Sequence, residues 1–388
     1  MGEVAERLGP NLLSWASDLD LATRDQALAL SRSPAVVGHV ALMPDAHLGV
    51  GATIGTVLPT STAIIPAAVG VDIGCGMAAC ETDLVPSDLP ETLAPLLREW
   101  RQTIPSGVGE GHDDPQPGFT AWLQAQADIG LDAGQLRRAA VQFGTLGSGN
   151  HFVEVAVDER DRVWILLHSG SRGIGNQLAQ AAIREAKLLA KRWLIPLEDP
   201  DLAYLVQGDS AFDAYLAALR WSQAYAAANR VQIQAQAVSS LLRIVGKGQV
   251  TDTINCHHNY TEREHHLGRD LWITRKGAIR ARVGDRGIIP GSMGTASYIV
   301  GGLGNAASYQ SCSHGAGRRM SRTRARKEIP ADDLRQMMRG REWLEEEADH
   351  LVDEAPAAYK DIDQVMADQA DLVKVVHRLS QVLNYKGF

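Results

Sequence analysis

Positive charge is what this sequence is short of: 46 Asp and Glu outweigh 38 Lys and Arg, for a formal net charge of -8. That balance excludes a generally basic protein that coats nucleic acid, although a local basic patch remains compatible with it. Cysteine is scarce too. Cys75, Cys80, Cys256 and Cys312 are too few and too scattered for a disulfide framework in 388 residues, and the CxxC pairs of a structural zinc site are missing. Reduced thiols are the expectation. Long apolar runs are absent as well: a stretch such as STAIIPAAVGV falls far short of the ~20 residues a membrane helix needs. The opening MGEVAERLGP has no basic segment leading into an apolar one, so no secretion signal is expected, and the predicted location is cytoplasmic. What is present is core: 45% hydrophobic residues against 22% charged, the composition of a folded chain.

Short β-branched runs broken by glycine fill much of the first 170 residues (AVVGHVALM, TAIIPAAVGVDIG, HFVEVAV, VWILLH) and read as strands. Residues 106–118, SGVGEGHDDPQPG, read as a loop. Helical periodicity takes over at 176–194 and again at about 212–245, where Ala, Leu and Gln dominate. Residues 252–299 return to a strand-like texture, and two helical segments, 331–352 and 362–383, are predicted to close the chain. No linker composition and no internal repeat divides it. The expectation is one α+β domain over residues 1–388 built around one cleft, without the regular alternation of a doubly wound fold.

Five glycine-rich, strand-terminal places carry imidazole, thiol or carboxylate. Asp45 and His47 lie in MPDAHLGVG, Asp72 and Cys75 in GVDIGCGM, His151 in GTLGSGNHFVEV, His168 in LLHSGSRG, and His257 and His258 in NCHHNY; His314 follows in CSHGAGR. A lone histidine after an apolar strand is usually structural, but repetition in loops, where functional residues concentrate, favours a shared site. Several imidazoles with one thiolate and one carboxylate suit a first-row divalent ion, Zn, Mn, Fe or Co, and the spacing does not separate one ion from two. A second signature is anion binding. SGSRG, PGSMG and GAGRRMSRTRARK combine small residues with arginine, so that backbone N–H groups and a guanidinium fork can approach phosphate oxygens.

With those motifs in view, the chain resembles the RtcB family of RNA-splicing and repair ligases, most closely its bacterial branch. GVDIGCGM, GTLGSGNHF, HSGSRGIGN, CHHNY, RKGA, IPGSMG and SHGAGR occur in order, and the resemblance runs from MPDAHLG to the terminal NYKG, about nine-tenths of the chain. The resemblance implies a GTP- and Mn2+-dependent ligase that joins RNA 3'-phosphate or 2',3'-cyclic phosphate ends to 5'-hydroxyl ends. It implies two Mn2+ ions bridged by Cys75, with Asp72 and His151 on one and His168 and His258 on the other. His314 is implied as the nucleophile that takes GMP from GTP, and Asp45 as the group that orients the incoming 5'-hydroxyl. Asn150, Glu154, Ser292, Ser297, Tyr359 and Lys386 match positions that hold the guanylate, and Arg172 and Arg318 match phosphate contacts. Cleaved tRNA or other broken RNA is the implied substrate, with room for an activating protein partner.

The sequence departs from that pattern outside the catalytic motifs. GPNLLSWASDLD lacks the basic and glycine residues expected near the start, Val50 stands where Lys or an aromatic is common, and the loop around His112 is acidic. These departures bear on substrate range rather than on activity. Two rival readings stand beside the ligase: a metal-dependent phosphodiesterase that opens cyclic phosphates, and a guanylate-responsive RNA-binding module without catalysis. Covalent labelling by GTP separates both from a ligase.

Overall fold

The computed structural model of the chain describes residues 5–387. Residues 1–4, the first part of the opening segment read above for a leader, and Phe388 lie outside the described residues. The glycine-punctuated runs fold into two large, mostly antiparallel sheets. In the eight-stranded sheet the order is Val250–His257, Gly76–Thr82, Val163–Ser169, Phe152–Asp158, Val373–Lys386, Ser297–Gly302 and Arg286–Ile289, with Glu342–Trp343 alongside Val373–Lys386. The six-stranded sheet runs Glu6–Gly9, Leu12–Ser14, Val40–His47, Ile54–Thr60, Arg269–Lys276 and Asn259–His266. Helices and sheets are mixed without βαβ alternation, as the α+β reading requires.

Both faces of the eight-stranded sheet are buried, so its central strands carry apolar residues on each side of the pleat. Ala78, Val153, Ile165 and Leu167 pack with Trp100, Ile233 and Leu241 on one face, while Met77, Ala156, Trp164 and Leu166 pack with Ile288 and Leu379 on the other. The 36-residue helix Ser210–Val245 supplies Ile233, Ala237 and Leu241 to the first face at helical spacing. Asp209 caps it by accepting from the Ala211 N–H at 2.8 Å, and Gly246 at φ +80° ends it.

The closing segments differ from the sequence expectation. Residues 362–383 are not one helix. Ile362–Ala367 is helical, and Val373–Lys386 is a strand in the interior of the eight-stranded sheet. Leu379, Gln381, Leu383 and Tyr385 are buried at period two, and pairing with Phe152–Asp158 and Ser297–Gly302 decides the outcome over local propensity. Residues 331–352 break into Ala331–Met337, the short strand Glu342–Trp343 and two short turns, with Gly340 at φ +79° between them.

Candidate metal and nucleotide centre

Antiparallel pairing explains why residues so distant in sequence meet. The end of one strand lies beside the start of the next, so ligands just before or just after neighbouring strands collect at one edge. Gly76 pairs with both Ser169 and His257, and Phe152 pairs with His168. Four adjacent strands thereby deliver Cys75, His168, His151 and His258 to one place. The Cys75 Sγ is 3.4 Å from His151 Nε2 and 3.3 Å from His168 Nε2, and His168 Nε2 is 3.3 Å from His258 Nε2. Asp72 Oδ2 lies 3.2 Å from His151 Nε2, while its Oδ1 accepts from the Ser171 N–H at 2.9 Å. His257, the neighbour of His258, faces away: its Nδ1 meets Gly74 O and Arg230.

These residues fit a divalent ion on their own hydrogen-bonding arithmetic. His151 Nδ1 is 2.9 Å from Leu146 O and His168 Nδ1 is 3.1 Å from Asn150 O, so each ring spends its N–H on a backbone carbonyl and turns an Nε2 lone pair inward. For His151 that lone pair faces the Asp72 carboxylate, an acceptor opposite an acceptor, and a cation between them resolves the conflict. Burial, then neighbouring His151, holds His168 neutral; burial, then His314, does the same for His258. Burial and then Asp72 push the Cys75 thiol up, so its proton is one for a metal to displace. A second acid–His group, Asp158, Glu159 and His377, is occupied otherwise, since Asp158 already bonds Arg160 and the Trp164 indole.

His314 follows the strand Ser311–Ser313, which pairs with Ala278–Arg280, and Asp45 comes from Val40–His47 of the six-stranded sheet. The His314 Nδ1 is 2.6 Å from Asp45 Oδ2, which also accepts the His314 and Gly315 N–H groups. That arrangement fixes the proton on Nδ1 and leaves Nε2 with its lone pair. The His314 ring packs edge-on against His258 with centroids 4.7 Å apart. Asp45 Oδ1 is buried without a partner among the described residues. Gly317, at φ +74°, lets the loop press against this strand, where an added Cβ would fall 2.2 Å from Asp45 O.

The residues expected at the guanylate gather around a cluster of charge. Glu154 is buried beside Ser297, Gln381 and Asn384, and burial pushes it up to about 7 despite those hydrogen bonds and the nearby Lys386. Lys386 Nζ is 2.8 Å from Glu354 Oε2 and 3.4 Å from Asn150 O. The Tyr359 hydroxyl donates to Glu354 at 2.6 Å, and Arg318 reaches both Tyr359 and Glu354. Ser292 stands apart, its hydroxyl 3.3 Å from that of Thr295 within its own turn. Arg172 is the first residue of the helix Arg172–Arg192 and holds φ +57°, a strained conformation for a non-glycine residue; its guanidinium meets only Thr145 Oγ1 and Gly107 O.

Four residues that carry no motif signal support this centre. Glu354 and Asp353 neutralise Arg318, Arg322 and Lys386; burial would raise Glu354, yet those three cations hold it down to about 2. Lys360 donates to Pro44 O and Ala46 O on either side of Asp45. Arg230, fully buried on the long helix, bonds Gly74 O, Ser169 O and His257 Nδ1, the neighbours of Cys75, His168 and His258.

Known proteins resemble this chain over most of its length. The family model described as tRNA-splicing ligase RtcB matches residues 26–134 and 119–387. The chain is 46% identical over 387 residues to the RNA-splicing ligase RtcB of Escherichia coli K12, covering 94% of each. It is 29% identical over 436 residues to the tRNA-splicing ligase RtcB of Nanoarchaeum equitans, covering 93% of this chain and 91% of that one. With the RNA-splicing ligase RtcB of Mycobacterium tuberculosis it shares 28% over 437 residues, 93% of this chain and all of the other. Ordered motifs, the centre they build and matches of this extent agree: the chain belongs to the RtcB family.

Proposed function

We propose that this chain is an RNA ligase that uses GTP and Mn2+ to join RNA 3'-phosphate or 2',3'-cyclic phosphate ends to 5'-hydroxyl ends. The observation that carries the reading is His314, tethered through Nδ1 to Asp45 with Nε2 free beside a cluster of metal-type ligands. A phosphodiesterase has no use for that nucleophile. Cys75, Asp72, His151, His168 and His258 would hold the Mn2+, which would neutralise charge on phosphate oxygens as a Lewis acid.

The His314 Nε2 lone pair attacks the α-phosphorus of GTP; the bond to pyrophosphate breaks, and His314 carries GMP. Asp45 holds the Nδ1 proton and offsets the positive charge the ring acquires. An oxygen of the RNA 3'-phosphate next attacks that phosphorus, the P–N bond returns its electrons to His314, and the RNA end is guanylylated. The 5'-hydroxyl oxygen then attacks the RNA 3'-phosphorus, losing its proton, and GMP departs. The unpartnered Asp45 Oδ1 is the atom that would orient this hydroxyl. A cyclic phosphate must first be opened to the 3'-phosphate by water. Glu154 supplies base selectivity, since a carboxylate accepts the N1–H and N2–H of guanine and finds neither arrangement on adenine. Ser297, Tyr359, Lys386 and Asn150 line the same nucleotide region, with Ser292 in the loop beside it.

The test is joining of defined RNA strands, one ending in a 3'-phosphate and one beginning with a 5'-hydroxyl, with GTP and ATP compared. Joining with GTP and Mn2+ is expected. Opening of cyclic ends without any joined product would favour the phosphodiesterase.

A further inference from the structure

Next to the ligand cluster the protein opens into a cleft of about 920 Å³, lined by Asp72, His151 and Arg172 and by the helix Ala133–Gln142. That helix presents Gly134, Arg137, Arg138 and Val141 to the cleft, positions i, i+3, i+4 and i+7 of a single face. Ala139, Ala140 and Gln142 are its buried residues, while Arg137 and Arg138 stay on the exposed side. Arg137 and Arg138 are exposed, and neither has an ion pair or hydrogen bond within the described residues. Arg172, beside Gly173, hydrogen-bonds neutral groups among the described residues, with Asp72 as its nearby counter-charge. Three guanidinium groups thus face one cavity in which Asp72 is the sole carboxylate. The basic run near the nucleotide region is different: Arg318, Arg322 and Arg326 are already paired with Glu354 or Asp353. In a chain with eight more acids than bases, three guanidinium groups against one carboxylate are not background.

We propose that this cleft binds the phosphodiester backbone of one RNA strand, with Arg137 and Arg138 on internal phosphates and Arg172 on the terminal one, beside the ligand cluster. The proposal rests on the ligase reading for the identity of the strand. The chemistry follows from phosphate recognition: exposed guanidinium forks bind phosphate oxygens and release counterions, and the amides of Asn176 and Gln177 add neutral donors without sequence preference. The same charge would serve a strand that ends in a 3'-phosphate or one that begins with a 5'-hydroxyl.

Two fluorescent RNA strands separate those sources: one with a 3'-phosphate and its dye on the 5' end, the other with a 5'-hydroxyl and its dye on the 3' end. Binding is titrated across a salt series with Mn2+ present, for the wild-type chain, Arg137→Ala/Arg138→Ala and Arg137→Lys/Arg138→Lys. The alanine pair should reduce the slope of log affinity against log salt by about 1.4 for at least one strand, and weaken binding about 10- to 30-fold at 0.1 M salt. The strand affected is the one the cleft holds, and the lysine pair should keep most of the slope. An unchanged slope for both strands in the alanine pair would overturn the proposal, as would salt-independent binding by the wild type. If the wild-type chain joins no ends yet shows the arginine-dependent slope, the ligase reading has failed and the cleft still binds RNA.

Discussion

Asp45 and His314 show how one carboxylate sets the chemistry of its neighbour. With Oδ2 accepting from the ring and two backbone N–H groups, the carboxylate selects the tautomer that leaves Nε2 nucleophilic. Asp45→Asn would confuse that selection, and transfer of GMP from GTP should slow by about 10²- to 10⁴-fold in single-turnover assays while metal binding persists. A rate within threefold of wild type would remove Asp45 from the step. Glu154 carries a pH signature. Burial pushes it up to about 7, so it is largely protonated in mild acid, whereas guanine recognition calls for the ionised form. GTP affinity should therefore rise as pH climbs through neutrality and level off above it, and calorimetric titration of wild type and Glu154→Gln should show this rise in the first alone. A rise of equal size in both would assign the pH dependence elsewhere. Gly170 has a steric role: an added Cβ would sit 2.2 Å from both Asp72 carboxylate oxygens. Gly170→Ala should displace Asp72 and lower metal affinity in an otherwise folded protein, measured by Mn2+ titration.

The long helix Ser210–Val245 matters to the centre through Arg230. One guanidinium joins the three segments that bear Cys75, His168 and His258, donating to Gly74 O and Ser169 O and lying beside the His257 ring. Arg230→Met should remove the charged donor shared by these segments, at a cost of about 1–3 kcal/mol, and weaken metal binding by about 10- to 100-fold. Arg230→Lys should recover little, because an ammonium lacks the planar fork. Undiminished Mn2+ affinity in Arg230→Met would show that the ligand segments hold themselves. This residue also marks the limit of what sequence alone conveys. Cys75, His151, His168, His258 and His314 stood out because glycine and imidazole share short local motifs. Arg230 sits among alanines and glutamines in an ordinary helical run, and only the fold turns it toward Gly74 and Ser169. The closing strand Val373–Lys386 reads as helix in sequence for a related reason: its place between two strands of the sheet is fixed by partners more than 70 residues away, not by its own periodicity.

Across the whole molecule, the centre draws Asp45 from the six-stranded sheet, its ligand cluster from the edge of the eight-stranded sheet and Lys386 from the far end of the chain. We expect residues 1–388 to unfold as one unit, because neither sheet completes the site without the other. Scanning calorimetry should show a single transition that moves up with Mn2+ by mass action on the folded state; two transitions, only one of which moves, would mean separable domains. The broader reading depends on a covalent intermediate. The direct measurement is incubation of the chain with α-phosphate-labelled GTP and Mn2+, followed by acid or alkali and by peptide mapping. The label should attach to His314, be lost in acid, survive alkali and be missing from His314→Ala, which should still seal RNA that carries a ready-made guanylylated 3' end. Label that resists acid, or that forms undiminished in His314→Ala, would contradict a histidine–GMP intermediate and the ligase mechanism built on it.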